Sequence, residues 1–163
     1  VLGFKKSKPS TMENSLTSIN EIGVSYKRKT LKNTSIKNSI DIYGFVSEMY
    51  KSTSSNPDLK EYFFIVLLNR ANKIIGYHKL SEGGICGTVV DIRLAFAIAL
   101  KSLASGIILV HNHPSGNLQP SSQDISITKR FIQAGELLEI TVLDHIIITD
   151  ENYKSFADEG LLK

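Results

Sequence analysis

Apolar residues at positions 42, 45, 46, 49 and 50 recur at helical spacing and predict a helix over Ile40 to Tyr50. Ser52 to Asp58, with Pro57, ends it in a loop. The pattern then changes period. Glu61 to Leu68 is a dense apolar run of aromatic and β-branched residues, which predicts a buried strand. Asn69 to Lys73 reads as a turn and Ile74 to Leu80 as the returning strand of a hairpin. Glu82, Gly83, Gly84 and Gly87 form a flexible connection. Asp91 to Ser105 predicts a helix with its stripe at Ile92, Phe96, Ala99 and Leu103, closed by Gly106. Ile107 to Val110 is a short apolar strand, and Pro114 and Gly116 keep the chain beyond it from continuing as a helix. Ser121 opens a helix to about Leu138, Ile140 to Thr149 is a strand, and the tail from Tyr153 is expected to add a turn of helix. Alternating strands and helices place the chain in the α/β class, with helices packed on a central sheet.

The first part of the chain is different. Residues 1–18 are rich in Ser, Thr, Lys and Asn and are expected to be a disordered basic leader. Ile19 to Tyr26 alternates, with Ile22, Val24 and Tyr26 on one side, and is expected to join the sheet as a strand. Thr30 to Ser39 is a polar connection. Residues 19–163 are thus expected to form a single domain, a size that suits one sizeable core.

Charge sharpens this division. The net +3 hides a basic arm: residues 1–40 carry eight Lys/Arg against two acids, a net of +6, and the remainder is −3. A basic arm is suited to nucleic acid or an acidic partner, and equally to being a solvated leader. The composition, 42% hydrophobic and 21% charged, is that of an ordinary globular protein. Apolar runs are one strand long, short of the roughly 20 residues of a membrane span. Val1 to Lys6 has no apolar stretch, so no secretory signal is read there; Met12 is a candidate native start. Cys86 is the lone cysteine, which fits a reducing, cytoplasmic setting, and it is expected to be a small buried residue.

Three of the four histidines lie in two short segments. If the strand before them continues, period-2 geometry points the rings of His111 and His113 to one side and Asn112 to the other. Two converging imidazoles make half of a tetrahedral zinc site. The turn at Pro114 and Gly116 brings the next helix back, with Asp124 in its first turn. A carboxylate there would complete three ligands and leave a fourth position for water, as in catalytic zinc sites. Ser121 and Asp124 are also spaced as a capping box, which is a complete explanation of Asp124 by itself.

The segment as a whole reads His111, one residue, His113, seven residues, Ser121, two residues, Asp124. It resembles the JAMM motif of the JAB1/MPN metalloprotease-like family at every defined position. The surrounding residues, Val110 to Gly116, Pro120-Ser121, Thr128-Lys129-Arg130 and Leu143 to Ile147, are similar to its RadC-like branch. The likeness runs from roughly Ile40 to Leu162. It implies a mixed sheet flanked by helices in the JAB1/MPN (cytidine-deaminase-like) fold. It implies zinc held by His111, His113 and Asp124, with Glu61, rather than Glu48 or Glu82, as general acid/base on the nucleophilic water. Ser121 is then both helix cap and oxyanion donor. His145 is expected in the core or behind the ligands, and His78 has no metal role.

The resemblance implies a zinc-dependent metallopeptidase or isopeptidase acting on a peptide or protein. The alternative is a DNA-repair-associated accessory protein, the RadC branch's older label. RadC-like proteins commonly carry an N-terminal helix-hairpin-helix segment, and residues 1–40 are too short and polar to supply one. A third reading is a metal-binding scaffold without activity. The sheet edge offers a partner or an extended peptide a strand to pair with.

Overall fold

The computed structural model describes residues 35–54, 57–83 and 89–162. The leader, the strand expected over Ile19 to Tyr26 and Cys86 lie outside the described residues. Among the described residues, three helices and five strands run in the order α1 (Ser39–Thr53), β1 (Tyr62–Leu68), β2 (Ile74–Glu82), α2 (Ile92–Lys101), β3 (Gly106–Asn112), α3 (Ser122–Leu138), β4 (Thr141–Ile148) and β5 (Tyr153–Ser155). The strands form one mixed sheet in the order β2-β1-β3-β4-β5. Only β3 and β4 are parallel, and α3 is their crossover. No helix among the described residues is long and apolar enough to cross a membrane.

The unbroken apolar runs of β1 and β3 follow from their position. Both are interior strands with both faces covered, and every residue in them is buried. Period 2 then sorts their side chains. Tyr62, Phe64, Val66 and Leu68, with Ile108 and Val110, pack against Ile42, Val46, Met49 and Tyr50 of α1. Phe63, Ile65 and Leu67, with Ile107 and Leu109, pack against Ala95, Phe96 and Ala99 of α2 and Phe131 of α3. The same alternation decides the end of β3: odd-numbered His111 belongs to the α2/α3 face and even-numbered Asn112 to the α1 face.

The structure corrects two expectations and refines a third. Helix α2 stops at Lys101, and Leu103 turns the chain with φ 55° and is 79% exposed, so it is not part of the core stripe. Gly106 does not close the helix. It opens β3, where a Cβ would press on Leu143 Cδ1 at 2.9 Å, the movable end of a side chain, so the position is a close-packed strand start and not a helix cap. The tail begins as the three-residue strand β5, and the turn expected there follows it over 156–160, with Glu159 N bonded to the Ser155 carbonyl at 3.2 Å. The buried Asp144 carboxylate holds it, accepting from Ser155 Oγ at 2.6 Å and Ala157 N at 2.9 Å. Phe156 is buried beside His145, and Tyr153 stacks on Tyr43 with ring centroids 4.5 Å apart.

Two glycines in helix interiors have opposite surroundings. A Cβ on exposed Gly44 would meet nothing within 4 Å, whereas one on Gly135 would collide with the Ile140 carbonyl where α3 turns into β4. Gly44→Ala is expected to stabilise the fold by about 0.5–1 kcal/mol. Gly135→Ala is expected to destabilise it by roughly 1–3 kcal/mol. Urea midpoints of the two variants test this pair of signs.

Candidate metal centre

β3 ends at the middle of the sheet, where the parallel crossover leaves a crevice beyond the strand's carboxyl end. His111, the next-to-last residue of β3, is 1% exposed, and its ring stacks on Phe63, its register partner on β1, at 5.7 Å. His113 lies two residues further on, its backbone N–H still bonded to the Ile148 carbonyl of β4 at 3.0 Å. Extended geometry therefore continues through the pair and sends both rings to one side.

Helix α3 returns Asp124 to the same place. Ser121 caps the helix: its Oγ accepts from Asp124 N at 3.1 Å, while its own N–H and hydroxyl donate to Asp124 Oδ2 at 2.7 and 2.6 Å. The other oxygen, Oδ1, lies 3.2 Å from His111 Nε2. The capping box uses Oδ2 and His111 faces Oδ1, so the two explanations of Asp124 are compatible.

The three side chains each offer one donor atom, all within 4.8 Å of one another. His111 Nε2 and His113 Nε2 are 2.9 Å apart, and His113 Nε2 is 3.6 Å from Asp124 Oδ2. Ligands about 2.0–2.1 Å from a tetrahedral ion lie roughly 3.3–3.4 Å from each other, so the separations bracket the edge of such a site.

Hydrogen bonds behind the rings select the tautomers. His113 Nδ1 meets the Asn117 carbonyl at 2.6 Å, and a carbonyl only accepts, so Nδ1 carries the hydrogen and Nε2 the lone pair. On the other side, Thr128 Oγ1 donates to the Asp124 carbonyl at 2.6 Å and so accepts from His145 Nδ1, also at 2.6 Å. That leaves a lone pair on His145 Nε2, which accepts from His111 Nδ1 at 2.8 Å. His111 Nε2 therefore also presents a lone pair to the centre. Burial pushes the His145 pKa well below that of a free imidazole, as the neutral form in this chain requires.

Burial would raise the Asp124 carboxyl, but the imidazoles of His111 and His113 and the Ser121 hydroxyl hold it far below the usual carboxylate range. The same Asp124 holds the His113 imidazole above its ordinary value. Glu61 precedes β1 and shares the cleft with His113, Ser121 and Asp124. Burial raises its carboxyl, the two imidazoles pull it down and Asp124 pushes it up, for a net rise. The cleft has a volume of about 770 Å³.

Neither Glu48 nor Glu82 joins this group. Glu82 is paired with Lys60 and Lys79 at 2.8 Å each, and its pKa is lowered to about 2. His78 is exposed on β2. Two contributors were missed by sequence reasoning. Asn112, pointing to the opposite face, accepts from Tyr62 N at 2.8 Å and donates to the Pro57 and Lys60 carbonyls at 2.7 and 2.9 Å, which fixes the segment carrying Glu61. Thr128 carried a usable signal. Asp124, Thr128, Phe131 and Gly135 form the buried stripe of α3, so two polar residues occupy core-facing positions.

A family model described as the RadC-like JAB domain matches residues 36–161. The chain belongs to the RadC-like JAB domain family. The chain is 52% identical over 101 residues to a UPF0758 protein of Flavobacterium johnsoniae, covering 62% of this chain and 44% of that one. It is 50% identical over 104 residues to one of Porphyromonas gingivalis, covering 63% and 46%. A relative from Desulforamulus reducens is 41% identical over 122 residues, covering 75% and 52%. The chain spans about half the length of these RadC-like relatives. Their names state no activity.

Two outcomes are expected of this RadC-like centre. Nitrogen NMR of labelled imidazoles in metal-free protein, above the His113 titration, should show His111, His113 and His145 all protonated at Nδ1; hydrogen at Nε2 of His111 would contradict the chain from Thr128. Divalent-metal affinity should weaken as pH falls through the raised His113 pKa, because the proton competes for Nε2. In metal-free protein the sign reverses. The His113 contribution to stability is fully present below about pH 6.5 and is lost as pH rises through the folded value. Thermal melts with and without chelator measure both.

Proposed function

We propose that this chain is a zinc-dependent hydrolase of amide bonds, a metallopeptidase or isopeptidase. The observation that carries the reading is the convergence of two imidazole lone pairs and a carboxylate oxygen, at tetrahedral spacing, beside an open cleft that His113, Asp124 and Glu61 line. Two nitrogens and one oxygen suit zinc, and three protein ligands leave a position facing the cleft. When bound, zinc supplies a Lewis acid that polarises a carbonyl and brings the pKa of water down towards about 7.

The chain's own groups would do the rest. His111, His113 and Asp124 hold the ion. Glu61, partly withdrawn from water and raised in pKa, takes the proton of the attacking water and returns it to the leaving amine. Ser121, at the N-terminus of α3 and on the cleft wall, is placed to donate to a developing oxyanion. In the resting arrangement its hydroxyl is held by Asp124 Oδ2, so this role requires it to turn. That the bond is an amide follows from the resemblance to JAMM metalloproteases. A nucleic-acid partner has less support in the described residues: Asp58, Glu61 and Asp124 line the cleft against the single cation Arg130.

Glu61→Gln is expected to retain zinc and to lower hydrolysis of a mixed peptide and isopeptide library by about 10²–10⁴-fold. Chelation should abolish the activity and zinc restore it. Hydrolysis that survives both treatments would sink the mechanism.

A further inference from the structure

The cleft extends well beyond the three candidate ligands, along the exposed side of α3. Gln123, Ile127 and Arg130 are spaced four and three residues apart, one stripe of the helix, and all three line it. Asp124, next to Gln123, belongs to the metal centre at one end of this stripe, and Arg130 ends it. Six residues of helix place the two Cα positions about 9 Å apart along the axis. An extended peptide advances roughly 3.3 Å per residue, so this corresponds to about three residues.

The lining also includes apolar residues that are exposed among the described residues. Leu59 and Val89 line the cleft and are 66% and 89% exposed, unusual for large hydrophobic side chains at the mouth of a polar site. Charge is unevenly placed. Arg130 is the one cation lining the cleft among the described residues, and it makes no ion pair with any of them. Asp58 lies elsewhere, where it and His113 also border a second hollow that Arg130 does not reach. Asp150 lines that hollow as well and raises the Asp58 carboxyl by its charge. A carboxylate is therefore repelled at the Asp58 side and attracted at the Arg130 side.

We propose that Arg130 anchors a carboxylate of an extended peptide substrate, about three residues from the bond cut at the metal centre, with apolar side chains of the peptide lying against Leu59 and Val89. The assignment rests on the hydrolase reading of the same cleft. A guanidinium meets a carboxylate with two parallel N–H donors, so it sets direction as well as affinity. The carboxylate is either an Asp/Glu side chain or the terminal carboxylate of a short leaving segment.

The test is calorimetry on the full metal-free chain and its R130A and R130K variants. The probes are C-terminally amidated octapeptides with central Leu and with Asp on one or the other side of it, their Asn counterparts, and a shortened peptide whose free terminal carboxylate falls at the Asp position. The expected result is roughly five- to tenfold tighter binding of one carboxylate probe over its neutral counterpart. The preferred probe tells side chain from terminus. The preference should vanish in R130A, persist in part in R130K and shrink with added salt. Equal binding of acidic and neutral probes, a preference that survives in R130A, or no measurable binding of any probe would overturn the anchor. Zinc-loaded wild-type chain separates the two claims. Arg130-dependent binding without cleavage would fail the hydrolase reading and leave the anchor standing. Equal cleavage of Asp and Asn peptides would leave the hydrolase reading and remove the anchor.

Discussion

Two imidazole nitrogens, His111 Nε2 and His113 Nε2, face each other 2.9 Å apart, and both are lone-pair atoms by the hydrogen bonds behind their rings. Neutral, they repel. Only a cation between them, a proton or a metal ion, turns the arrangement from a cost into a gain. The fold holds them there from several sides. The Asn117 carbonyl fixes one ring, and the chain from the Asp124 carbonyl through Thr128 and His145 fixes the other. Buried polar chains of this kind are costly when incomplete and rigid when every member is satisfied. Here each member has its partner.

That arrangement depends in turn on the sheet. The register of β3 against β1 puts His111 over Phe63, and parity sends Asn112 to the other face, where it ties down the segment before β1. One short stretch, His111 to His113, therefore positions groups on both sides of the sheet: the candidate ligands directly and Glu61 through the backbone. Helix α3 supplies the third donor because β3 and β4 are parallel and need a crossover, and the crossover must begin where β3 ends. The helix N-terminus also favours the negative charge of Asp124.

Much of this was legible in the sequence. Unbroken apolar runs mark interior strands covered on both faces, and the start of α3 was visible in its capping box. The grouping of His111, His113, Ser121 and Asp124 followed from strand parity and motif spacing. What was not legible depends on tertiary neighbours. Gly106 looks like a helix stop until Leu143 is seen against it. Leu103 fits the α2 stripe, but the helix has ended two residues earlier. The tail pairs with β4 for three residues before it turns, and the Asp144 carboxylate that ties Ser155 and Ala157 down lies in a distant part of the chain. Thr128 and His145 are 17 residues apart in the chain, and no local pattern announces that they meet.

The proposed zinc site of His111, His113 and Asp124, with a position open to the cleft, can be observed spectroscopically. X-ray absorption at the zinc edge, on protein loaded to saturation, addresses it most directly. One zinc per chain is expected, in a four-coordinate shell of nitrogen and oxygen at about 2.0–2.1 Å, with the signature of two imidazoles. His111→Ala should lose that signature. A shell without histidine, or one unchanged by loss of His111, would contradict it.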